Sequence, residues 1–175
     1  MSKKHSSALL IAKSVLYLLA LFVATGIIHE AAHLVTAKAM GVTIASFTWF
    51  DSQYLAPAFT TAGTESNLAW TVVGCADGFV AGTALMGIVA VKMRWFRVSF
   101  FRWLTGMWMF TWGASQISAG FLEGFANDTY LAGALDLFSW ANGVMLAGGL
   151  LGSAVYMIWS PEGLRRDVLS SSRDL

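Results

Sequence analysis

"ALLIAKSVLYLLALFVATGIIHEAAHLVTAKAM", residues 8–40, is an apolar run interrupted by two lysines, two histidines and one glutamate. A membrane span needs about 20 apolar residues, and this run exceeds that length. Its second half sets His29, Glu30 and His33 in surroundings otherwise suited to lipid. A charged side chain at mid-bilayer costs about 2.5–3.5 kcal/mol even on the lenient insertion scale. The chain has only three histidines, and two of them stand here beside a carboxylate. Such a cluster needs compensation, and a metal ion is the leading candidate.

The composition agrees with a membrane setting. Hydrophobic residues make up 57%, charged residues 12%, and the mean hydropathy is +0.63, which together describe an integral membrane protein rather than a soluble domain. Residues 1–175 suit a single membrane-embedded domain. A net charge of +1, without a basic or acidic tail, gives no reason to expect nucleic acid as a partner. Cys75 is the only cysteine, so neither a disulfide framework nor a cysteine-rich zinc site can form within the chain. The first residues have the charged and apolar parts of a signal peptide. The apolar run continues through the histidine motif, however, and a retained span is the expectation.

Four segments are long enough to span, roughly Ala8 to Met40, Leu68 to Val91, Val98 to Leu122 and Leu131 to Trp159. Ten of the eleven Lys and Arg residues fall on one side of such a four-span arrangement, Lys38 being the exception. The positive-inside rule then places both termini in the cytoplasm, with segment 41–66 and the turn around Glu123–Asp128 on the other side. In 42–50, Val42, Ile44, Phe47, Trp49 and Phe50 mix with Thr and Ser, and the punctuation by Gly and Pro that follows suggests a short strand or hairpin. Open strand edges are not tolerated against lipid, so this segment belongs at the interface or in a cavity. The expected fold is all-α and membrane-integral, with about four transmembrane helices and a strand or hairpin segment after the first. Gly74, Gly78 and Gly82 recur every four residues, and Gly148 and Gly152 repeat that spacing. Small residues so spaced let membrane helices approach closely.

His29-Glu30-Ala31-Ala32-His33 is H-E-x-x-H. On a helix, residues i and i+4 share a face, so both imidazoles can reach one zinc ion. Glu30, turned about 100° from His29, can act on an attacking water without being a ligand itself. The bland alternative is a pair of histidines hydrogen-bonded between helices. Catalytic zinc takes a third protein ligand and keeps a fourth position open. The only other histidine is His5, in the tail, so that ligand should be a carboxylate. Asp128 ranks first, because it lies where the third and fourth spans meet on the side of the motif. Asp136 follows, about 12 Å further along if helical, and then Asp77 and Glu123. The competing role for Asp128, within "NDT", is a helix N-cap.

"HEAAHLVTAKAMGV" resembles the opening of the site-2-protease-type intramembrane zinc metalloproteases, whose motif lies in a membrane helix followed by small residues and "GV" or "GG". The likeness extends to a compact branch of that group, in which a strand-like segment, a Gly-rich span (here "GCADGFVAGTALMG") and an "N-D-x-x-x-L-A" element (here "NDTYLA") follow. The resemblance implies that His29, His33 and Asp128 bind zinc and that Glu30 is the catalytic base. It also implies an intramembrane endopeptidase acting on a membrane-protein or peptide substrate. Ala32 stands where the family usually has Gly, and the L-D-G form of the third-ligand motif is absent, with "ALDLF" around Asp136 in its place. Better-known members also place their active site toward the cytoplasm, whereas the charges here put it on the other side. Oxyanion stabilisation beyond zinc itself is unassigned, with Asn127 and Asn142 as candidates only because they are polar. The alternative is a catalytically inactive, protease-like scaffold or assembly subunit in the bilayer, with either reading open to a homo- or hetero-oligomer.

Overall fold

A computed structural model describes residues 3–51, 56–61, 67–125 and 140–159. The first helix, α1 (Lys3–Ala39), takes in the whole motif. Its interior contains no proline and only one glycine, Gly26, so nothing local breaks it. It stops at Gly41, whose φ of 74° is one that residues with a Cβ adopt with strain. There the Val42 N–H reaches Ala37 O (2.9 Å) and the Gly41 N–H reaches Lys38 O (3.2 Å), the paired bonds of a Schellman cap. Val42 and Ala37 are both buried, together with Val73, which fixes how the chain leaves the helix.

Strands β1 (Ile44–Asp51) and β2 (Ala56–Thr61) follow and pair antiparallel, with Ile44 opposite Thr61 and Phe47 opposite Phe59. The Ser46 and Thr60 hydroxyls bond across the ribbon at 2.6 Å. Residues 67–91 are helical throughout, as α2 (Asn67–Cys75), a π-helical stretch (Ala76–Gly82) and α3 (Thr83–Val91). A short turn of helix, α4 (Met93–Phe96), leads to α5 (Phe100–Phe125), and α6 (Trp140–Trp159) is the last described element.

Helix α5 is the axis of the assembly. Helix α1 runs parallel to it, with Tyr17 bonded to Thr105, Trp108 to Thr25, and His29 to Gln116. The segment 67–91 runs antiparallel, since Gly74, Gly78 and Gly82 meet Glu123, Gln116 with Gly120, and Gly113 in turn. Helix α6 is antiparallel on another side, with Gly148 against Ser118 and Gly152 against Phe110 and Ala114. The main buried cluster joins Val89, Phe96, Trp103, Leu104, Phe110 and Tyr156 near the end where α5 begins. The Tyr156 hydroxyl donates to Trp103 O at 3.1 Å. Lys92, Arg94 and Arg97 lie on the turn at this same end. The histidines lie toward the opposite end, His29 about 24 Å along α1 from Lys13 at helical rise.

Two helical stretches, Ala8–Ala39 and Thr71–Val91, are long and apolar enough to cross a membrane. Only 6% of the apolar window in the first is buried. A soluble protein's core helix would bury that surface. Here Leu16, Leu19, Phe22, Val23 and Val35 are all more than half exposed, an apolar surface of the kind that marks a membrane or partner contact. Gly143–Trp159 is apolar but shorter. Helix α5 has the length, yet Thr105, Thr111, Ser115, Gln116, Ser118 and Glu123 keep it below the apolarity of a lipid-facing span. Its neighbours cover it, so it has no need to be lipophilic all round. The expected fourth span begins at Leu131, and residues 131–139 lie outside the described residues.

Candidate metal centre

Three helices contribute to the site. His29 and His33 stand one turn apart on α1, their ring centroids 4.7 Å apart and nearly perpendicular. His33 Nδ1 lies 2.7 Å from the carbonyl oxygen of Val73 on α2. A carbonyl can only accept, so Nδ1 carries the proton and Nε2 is the coordinating atom when the ring is neutral. That Nε2 is 3.4 Å from Glu123 Oε2, on the last turn of α5. His29 Nδ1 donates in the same way to Gln116 Oε1 at 3.0 Å, and its Nε2 is 3.6 Å from Glu30 Oε1. Side-chain exposure is 16% for His29, 10% for Glu30, 9% for His33 and 10% for Glu123, so little water reaches these charges.

Two acceptors, a neutral imidazole nitrogen and a carboxylate oxygen, repel at 3.4 Å unless a proton or a cation lies between them. Burial strengthens that demand, because a buried carboxylate without a partner is costly. Glu123 Oε1 is buried and has no hydrogen-bond partner among the described residues. The ligand atoms of His29, His33 and Glu123 all lie within 4.8 Å of one another, a group that can hold a metal ion. Ligands about 2.0–2.1 Å from a tetrahedral zinc stand roughly 3.4 Å apart. The His33–Glu123 separation matches that spacing, and two imidazoles with one carboxylate are a donor set that zinc accepts.

Glycines set this arrangement. A Cβ on Gly74 would lie 2.8 Å from the Glu123 carbonyl, and one on Gly78 would lie 2.5 Å from the Gln116 carbonyl oxygen. Without side chains at these positions α2 and the π-helical stretch lie directly on the backbone of α5. Contact at Gly74 brings Glu123 to His33, and contact at Gly78 brings Gln116 to His29. Extra backbone in a π turn is common beside functional sites, and here it carries Asp77 and Gly78.

Of the residues singled out in the sequence, the structure brings His29, Glu30, His33 and Glu123 together. Glu123, expected near a turn, belongs to a helix that continues to Phe125, because Gly124 packs against Cys75 and Thr71 of α2. Asp128, Asp136 and Asn127 lie outside the described residues. Asn142 falls in the first turn of α6. Sequence reading missed Gln116 and the Val73 carbonyl. A buried glutamine in a largely apolar helix was a signal for the first, whereas a backbone carbonyl leaves no mark in sequence. No family model, curated protein or solved structure matches the chain.

Proposed function

We propose that the chain is a zinc-dependent intramembrane endopeptidase. The observation that carries this reading is the buried Glu123 carboxylate, with one oxygen unpartnered and the other facing a histidine of a helical H-E-x-x-H. His29, His33 and Glu123 would hold the ion. When bound, zinc polarises a scissile carbonyl and makes water nucleophilic near neutral pH.

The protein's own residues supply the rest. Val73 O and Gln116 fix the two imidazoles, each by its Nδ1 proton. Glu30, beside His29 and 8% exposed, takes the proton of the attacking water as the new C–O bond forms. It then delivers that proton to the departing amine nitrogen as the C–N bond breaks. A helical substrate has its carbonyls engaged in its own hydrogen bonds. The β1–β2 ribbon, rooted through Val42 beside Val73, is suited to pair with an unwound substrate strand and expose the scissile bond.

The likeness to site-2-type proteases supports the same chemistry, with Glu123 in place of the Asp128 that the resemblance implied. Four spans with both termini cytoplasmic would suit the alternating directions of α1, segment 67–91, α5 and α6, with Lys92, Arg94 and Arg97 together at one end. The site then faces the non-cytoplasmic side. The test is zinc content together with cleavage of single-span transmembrane peptides co-reconstituted in vesicles, the products being read by mass spectrometry. About one zinc per chain, lost in both His29→Ala and His33→Ala along with cleavage, supports the reading. Full zinc occupancy in the double variant overturns it.

A further inference from the structure

We infer that Gln116 is a positioning residue for the metal: its side-chain oxygen selects the His29 tautomer and aims His29 Nε2 into the site. The inference rests on the metal reading above. Gln116 is 6% exposed, one of few buried polar side chains among the described residues. It sits mid-way along a helix whose neighbours bury it, where an amide is retained only if it has partners. One partner is His29 Nδ1, at 3.0 Å.

The two histidines are held by different means. His33 is fixed by a backbone carbonyl, which no side-chain substitution removes. His29 donates from Nδ1 to the Gln116 side chain, a contact that a substitution can remove. The Gln116 backbone is itself pinned, because its carbonyl oxygen lies against Gly78 with no room for a Cβ between them. A hydrogen bond from the second ring nitrogen of a metal-binding histidine typically changes metal affinity by about 10–100-fold. Gln116 thus acts on the metal through His29.

The experiment measures Zn²⁺ affinity of the full chain in detergent by competition with a chromophoric chelator, with Co²⁺ spectra as an independent view of the ligand field. Gln116→Met keeps length and removes the acceptor. It should weaken Zn²⁺ binding by about 10–100-fold and alter the Co²⁺ spectrum. Gln116→Glu keeps an acceptor at the same reach and should bind as tightly as the natural protein or more so. In a His29→Ala background Gln116→Met should cause no further loss, since the route through His29 is already cut. Affinity within twofold of the natural protein in Gln116→Met, or equal additional losses with and without His29, overturns the inference. If Gln116→Met does not fold, Gln116→Glu decides: a tenfold loss in a folded protein overturns it. If His29→Ala itself leaves Zn²⁺ affinity unchanged, the metal reading fails and this inference fails with it.

Discussion

Gly78→Ala isolates the device that assembles the site, because it adds one methyl group where the helices touch. The new Cβ would lie 2.5 Å from Gln116 O and 2.8 Å from Gly120 Cα, against an ordinary contact of at least 3.4 Å. Both neighbours are backbone, so no side-chain rotation relieves the clash. The two helices must part by about 0.9 Å, which also loosens the contacts at Gly74 and Gly82. Overpacking of this kind costs about 1–3 kcal/mol. The His29–Gln116 bond, now 3.0 Å, stretches as α5 withdraws, so zinc affinity should fall together with stability. Gly87→Ala is the matched control, since nothing lies within 4 Å of a Cβ there. It should be neutral or slightly stabilising, as alanine is the better helix former. Unfolding in mixed micelles by titration with a denaturing detergent compares the two. Equal stability for Gly78→Ala and Gly87→Ala, within about 0.5 kcal/mol, would refute the claim that glycine contact sets the spacing.

Glu123→Gln keeps shape but removes the proposed anionic ligand, so zinc retention should collapse, whereas Asp128→Ala should retain the metal. The reverse pattern, measured by metal analysis after gel filtration, would return the third-ligand role to Asp128. Removing zinc by chelation should destabilise the bundle, because an ion held by His29, His33 and Glu123 would tie α1 to α5. At free zinc of 100 times Kd the difference is about 2.7 kcal/mol, and identical unfolding midpoints with and without chelator would count against a native-state metal site.

How far the sequence could be read differs from element to element. H-E-x-x-H needed only the helical repeat to bring two imidazoles together, and the apolar run around it announced a long helix. The strand-like texture of 42–50 was visible in the alternation around Phe47, and the Schellman cap at Gly41 in the glycine that closes the run. Glu123 was visible but stood level with Asp77, behind Asp128 and Asp136. Its distance from His33 depends on α1 and α5 running side by side with residue 33 level with residue 123, a register that no local pattern encodes. A signal existed in the glycines. Gly113, Gly120 and Gly124 form a facing stripe on α5, and setting it antiparallel to Gly74, Gly78 and Gly82 carries Glu123 to the last turn of α2. Helix α5 was expected as one span among four. Its hydroxyls, its amide and its carboxylate reflect a helix covered by its neighbours, where hydrogen bonds and the site take up its polar groups.

Glu30→Gln separates a protease from a scaffold. The substitution keeps the size and hydrogen-bonding capacity of the side chain beside His29 while removing the base, and it leaves His29, His33 and Glu123 intact. Zinc content and cleavage of a co-reconstituted transmembrane peptide should be measured on the same preparation. The expected result is about one zinc per chain with cleavage reduced by a factor of at least ~10². Undiminished cleavage would contradict it. So would a cellular role fully preserved in a variant that keeps its zinc, which is the behaviour of a scaffold.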